Sequence, residues 1–239
     1  MTNPLARYEA PIALFYCAVI LTLMEYLLIP PRVEAWLHGA RIFGWQSPSL
    51  EAGLVWAASC LILFLALPLA IVKFLVGGPL AQYGLSVSGF LKHLRTYLLL
   101  YLLMIPVIYL ASTREQFLRV YPFVSEATTS TSAFLIWEAA YVLQFFALES
   151  FFRGYLLFTL SKHTEKWLAI TMMTVPYTMI HFHKPMPEAF AAAGAGLVLG
   201  YFALRYRTWL GGAVLHSLVA VTMDTLACAK AGLFNQVHS

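Results

Sequence analysis

The sequence predicts an all-α protein, a polytopic transmembrane helix bundle of about seven spans, or eight if one of two shorter segments also crosses. Three observations predict it. Hydrophobic residues make up 61% of the 239 and charged residues 11%, with a mean hydropathy of +0.75. A water-soluble domain carries roughly 25% charged residues, so this chain has too little polar surface to face water on all sides. The apolar residues gather into runs at about 10–30, 52–77, 95–112, 133–160, 166–182, 186–205 and 208–229, each near the ~20 residues a helix needs to cross a bilayer.

The runs are taken in chain order. The N-terminus MTNPLARYEA has no cleavage-site pattern, so the first run is expected to stay as a span. It holds Glu25, read as an interface residue, just before Pro30–Pro31. Trp36 and Trp45 in the loop that follows suit an interfacial aromatic belt. The second run closes at Gly77-Gly78-Pro79, a helix-stop signal. Residues 81–96, AQYGLSVSGFLKHLRT, read as a short amphipathic or interfacial segment leading into the third run. Residues 113–132 form a polar loop rich in Ser and Thr around Pro122. The sixth run carries Gly194, Gly196 and Gly200, whose spacing lets helices approach closely.

No internal repeat divides the chain, which reads as a single membrane domain, 1–239, with the lipid bilayer as its surroundings. Seven spans put eight of the Lys and Arg residues on the side of the N-terminus and six on the other. The positive-inside rule then places the N-terminus in the cytoplasm. Without a basic run or basic–aromatic interleaving, no nucleic-acid partner is expected. Cys17, Cys60 and Cys228 fall inside apolar runs with no CxxC spacing, which predicts buried free thiols.

Charge inside the runs is where function is sought. In the fourth run, FFALESFFRGYLL places Glu149 and Arg153 four residues apart, on one helix face and in the favourable order. Ionisable groups at membrane depth are costly and by default mark a functional site. His181 closes the fifth run, with His183 and Lys184 behind it and Pro185 stopping the helix. Pro176, five residues earlier, is positioned to bend that helix and free a carbonyl. His216 lies in the seventh run, and Asp224, eight residues on, shares its face about 12 Å further along the axis.

Each of these also has a plain reading. The Glu–Arg pair serves equally as a clamp between helices, a single His as a packing residue, and Asp224 as a group snorkelling to the interface. Glu138 beside Trp137 reads as an interface residue, and Phe145, Phe146, Phe151 and Phe152 as ordinary packing. The conjunction argues otherwise: one carboxylate, one guanidinium and two imidazoles on three spans of a chain that otherwise avoids charge there.

A buried carboxylate is suited to activate water as a general base, with a neighbouring His sharing the proton and a second His donating to an oxyanion. The same three residues, Glu149, His181 and His216, are also a zinc-binding set with water in the fourth position. HExxH and GxSxG are both absent, which removes the helical zinc-protease motif and the serine elbow. A proton relay in a transporter would bring inverted repeats, and none are visible.

At these residues the sequence resembles the CPBP family of CAAX proteases and bacteriocin-processing enzymes (Abi proteins), which are glutamic-type intramembrane endopeptidases. Their marks are EExxxR followed by Gly, then FxxxH, then HxxxN or HxxxD on separate spans. This chain offers Leu148-Glu149 to Arg153-Gly154, then Tyr177 to His181, then His216 to Ala220, a resemblance covering roughly 133–229, the expected catalytic core. The resemblance implies a membrane endopeptidase in the cytoplasmic membrane of a bacterium, acting on a peptide or membrane-anchored protein without a cofactor. It makes Glu149 the base, Arg153 its orienting partner, His181 the partner in water activation and His216 the oxyanion-side residue. Tyr177 stands where Phe is usual. Two departures matter: Leu148 replaces the first Glu of the doublet, and Ala220 replaces the last polar residue. Glu149 substitutes if the helix turns by about 100°, one residue, and Asp224 or His183 supplies the other group. The alternatives are a family member without activity that serves in binding or immunity, and a zinc-dependent membrane protease.

Overall fold

The computed structural model describes residues 7–39, 48–77 and 79–233. Arg41, Trp45 and Gly78 lie outside them. Among the described residues every regular element is helical, and the longer ones are α1 (Glu9–Leu28), α2 (Pro30–His38), α3 (Leu50–Val76), α4 (Val87–Ser112), α5 (Thr131–His163), α6 (Lys166–Met179), α7 (Met186–Tyr206) and α8 (Leu210–Lys230). Six of them, all but α2 and α6, are long and apolar enough to cross a membrane, α4 together with the 3₁₀ turn Leu80–Tyr83 that leads into it. The chain is therefore an integral membrane helix bundle.

Polar contacts fix the alternation. At one end Glu9 accepts from Tyr83 Oη (2.5 Å), Lys162 Nζ (3.0 Å) and Thr159 Oγ1 (3.2 Å), gathering the start of α1, the entrance to α4 and the end of α5. At the other end Glu25 meets His183 Nε2 at 2.9 Å, and the Ser125 N–H donates to the Pro48 carbonyl at 3.1 Å. Glu25 is thus paired across the bundle.

Three local readings are corrected. The run at 166–182 is a 14-residue helix, about 21 Å long, against a hydrocarbon core of ~30 Å. It stops at Met179, and 180–185 form a turn running into Pro185, which precedes α7. Residues 87–96 are the first turns of α4 itself, started by Ser86, whose hydroxyl accepts from the Gly89 N–H at 3.1 Å. The 113–132 stretch is no simple polar loop: Phe117, Tyr121, Phe123 and Val124 are buried, and Phe123 stacks on Trp56 and Trp137.

α5 runs through the centre, with Phe151, Phe152, Leu156 and Leu157 fully enclosed. α4 turns Leu99, Leu102, Leu103 and Leu110 outward, an apolar surface suited to lipid. Where α6 meets α7, a Cβ on Gly196 would lie 2.6 Å from Thr174 Cγ2, so the glycine permits the close approach that the sixth run's composition predicts.

Candidate active site

The site begins with an irregularity in α5. After Glu149 the helix widens into a π-helical stretch, Ser150–Leu156, before returning to α geometry. Such a stretch accommodates an extra residue, resets the helix face that follows, and recurs at functional sites. Leu148, buried 5% exposed, joins the apolar cluster with Ala147, Phe151 and Phe152. Glu149 points inward with no exposure at all.

Oε1 of Glu149 takes two donors, Arg153 Nη1 at 2.8 Å and His216 Nδ1 at 3.0 Å. Among the described residues Oε2 has no hydrogen-bond partner, and neither do Nε and Nη2 of Arg153. The Arg153 guanidinium lies over Tyr177, its Cζ 3.7 Å from the ring centroid, a desolvated cation–π contact. Arg153 is fully buried, and its charge faces Glu149 and the ring.

His181 sits in the turn just past α6, where helix ends leave carbonyls without partners. Its own N–H bonds to Thr178, and its Nδ1 lies 2.8 Å from the Tyr177 carbonyl. A carbonyl only accepts, so Nδ1 carries the hydrogen and Nε2 of a neutral ring presents a lone pair. Pro176 lies within α6, which continues past it to Met179, so the carbonyl that matters is the helix-end one of Tyr177. The same reasoning applies to His216, whose Nδ1–H donates to the Glu149 carboxylate. The two imidazoles lie nearly parallel, 6.5 Å between centroids, and Tyr177 is 4.9 Å from one and 6.3 Å from the other.

Glu149, Arg153, Tyr177, His181 and His216 are therefore brought together. Phe145, read as packing, belongs with them: its ring lies 4.2 Å from His216 and backs the imidazole. Its position one turn before Glu149 was the available signal. Asp224 and His183 are not brought in. Asp224 accepts from Trp137 Nε1 (2.8 Å) and the Phe123 N–H (3.1 Å), more than two turns from His216, and His183 faces Glu25. Glu138 is buried, not interfacial. No group of three or more His, Cys, Asp or Glu side chains among the described residues is arranged to hold a metal ion.

Residues 130–222 match the family model described as type II CAAX prenyl endopeptidase Rce1-like. This match bears out the family resemblance over the segment from the start of α5 into α8, which carries all five assembled residues and ends before Asp224. No curated protein and no solved structure matches the chain.

Proposed function

We propose that the chain is an intramembrane endopeptidase that hydrolyses a peptide or membrane-anchored protein with a water held between His181 and His216. The observation that carries this is the direct Glu149–His216 contact, clamped by Arg153, in the segment matching a CAAX endopeptidase family. Glu149 is wholly buried and its Oε1 already accepts twice. It acts through His216: by fixing Nδ1–H it leaves Nε2 as the ring's base, and it stabilises the imidazolium that forms. His216 takes a proton from the water as the water oxygen bonds to the scissile carbonyl carbon. His181 Nε2 accepts the water's other hydrogen and so holds it in line. The proton on His216 then passes to the leaving amine as the C–N bond breaks. A membrane-anchored substrate is supported by an apolar cavity of about 370 Å³ between α3 and α5, lined by Leu61, Leu65, Leu143, Phe146 and Trp209.

The test uses purified protein in lipid vesicles and internally quenched peptides ending in a CAAX sequence, with and without a farnesyl group. Glu149→Gln, His181→Ala and His216→Ala are each expected to lower cleavage by about 10²–10⁴-fold with insertion unchanged. Full activity in Glu149→Gln would overturn the assignment. Loss to a chelator with recovery on adding zinc would overturn the metal-free route.

A further inference from the structure

Two adjacent glycines open α8, and glycine weakens a helix relative to alanine. Gly211 has an evident packing role: a Cβ there would lie 2.0 Å from the Tyr97 ring, so α4 and α8 meet only because it is absent. Gly212 faces elsewhere. A Cβ there would lie 2.8 Å from Glu149 Oε2, closer than such carbons approach other atoms, while the next residue it would meet is Leu199, at 3.9 Å. Gly212 stands one turn before His216 on the same face of α8. The oxygen beside it is the one on Glu149 with no hydrogen-bond partner, although the side chain is entirely buried.

We infer that Gly212 is a positioning residue: the hollow left by its missing side chain seats Glu149 Oε2, and that seat turns Oε1 toward Arg153 and His216. This rests on the reading of Glu149 as part of the reacting set. One helix then supplies both halves of the contact, His216 as donor to Oε1 and Gly212 as the wall behind Oε2. Any Cβ at 212 pushes the carboxylate out of line, and Glu149 has no exposed direction in which to retreat.

The test is a double-variant cycle. Gly212→Ala is expected to reduce cleavage of the farnesylated reporter about 10-fold, mainly in kcat, because the carboxylate must yield by a few tenths of an ångström, short of the ~1 Å misplacement that costs about 100-fold. It is also expected to lower the unfolding temperature in detergent. In a Glu149→Ala background the same substitution should leave that temperature unchanged or raise it, because nothing remains to be displaced and alanine favours the helix. Equal thermal losses in both backgrounds, or full cleavage by Gly212→Ala, would overturn the seat. If Gly212→Ala does not accumulate, the double variant is expected to fold, and its failure to do so would overturn the seat as well. A Glu149→Gln protein that still cleaves at the wild-type rate would defeat the reading of Glu149 as part of the reacting set, while the thermal cycle would still decide the role of Gly212.

Discussion

Replacing Arg153 with Met tests the energetic core of the site without needing a substrate. Methionine keeps the length of the side chain and retains a sulfur over the Tyr177 ring, so the stack is altered but not emptied. What it removes is the only cation paired with Glu149, in a position where neither partner has any exposure. Removing one member of a buried pair leaves an uncompensated charge and costs about 3–5 kcal/mol. For a chain of this size that corresponds to roughly 6–20 °C in unfolding temperature. Replacing Glu149 with Met as well removes the stranded charge. The residual cost is then the orphaned His216 Nδ1–H, about 1–3 kcal/mol, so the double variant is expected to unfold at a higher temperature than Arg153→Met alone. Thermal unfolding of the wild-type, single and double variants in one detergent reads this directly. An Arg153→Met protein within 2 °C of wild type, or a double variant less stable than the single one, would refute the buried pair as the site's electrostatic centre.

Two further outcomes follow from residue placement. Asp224→Ala strands the Trp137 Nε1–H, at about 1–3 kcal/mol, and removes the acceptor of the Phe123 N–H bond; it is expected to lower thermal stability while leaving cleavage per folded molecule unchanged, and a fall in kcat at unchanged stability would return Asp224 to the site. Moving the carboxylate back one position, with Leu148→Glu and Glu149→Leu together, puts a charge in the apolar cluster around Phe151 and Phe152. That protein is expected to be inactive and less stable, and cleavage near the wild-type rate would show that the site uses the register of the family's doublet.

Six of the seven expected spans were legible because apolar runs near 20 residues are set apart by Pro and Gly stops. Glu149, Arg153, His181 and His216 were legible because charge is costly in such runs. Two things were not. The length of α6 was hidden because hydropathy continues through Ile180 and Phe182 although the backbone has already turned. The neighbourhood of Asp224 was hidden because its partners lie about 90 and 100 residues earlier, at Trp137 and Phe123, and no local spacing joins them. The π-helical stretch Ser150–Leu156 left no signal in the sequence, where Leu148 in the doublet shows only that Glu149 substitutes if the helix is turned by about one residue. Gly212 left no signal, since the glycine pair reads as close packing until the two faces are told apart.

The short α6 and the π-helical stretch of α5 form one construction. α6 leaves the end of α5 and climbs 14 residues, about 21 Å, before its turn. The start of that turn arrives beside the carboxylate: the His181 ring lies 6.5 Å from that of His216, which bonds to Glu149. Irregular backbone is tolerated at such depth only where protein covers it or where it lines a water-filled cavity. Here the His181, Phe182 and Lys184 N–H groups are satisfied within the turn, and Lys184 reaches the Tyr121 hydroxyl at 3.1 Å. The Tyr177 carbonyl, left over by the early stop, sets the His181 ring. A full-length helix would bond that carbonyl internally and carry His181 along its side, with neither the tautomer nor the approach to His216 fixed. The truncation that makes α6 a poor span is thus what fixes the ring of His181 on the Tyr177 carbonyl.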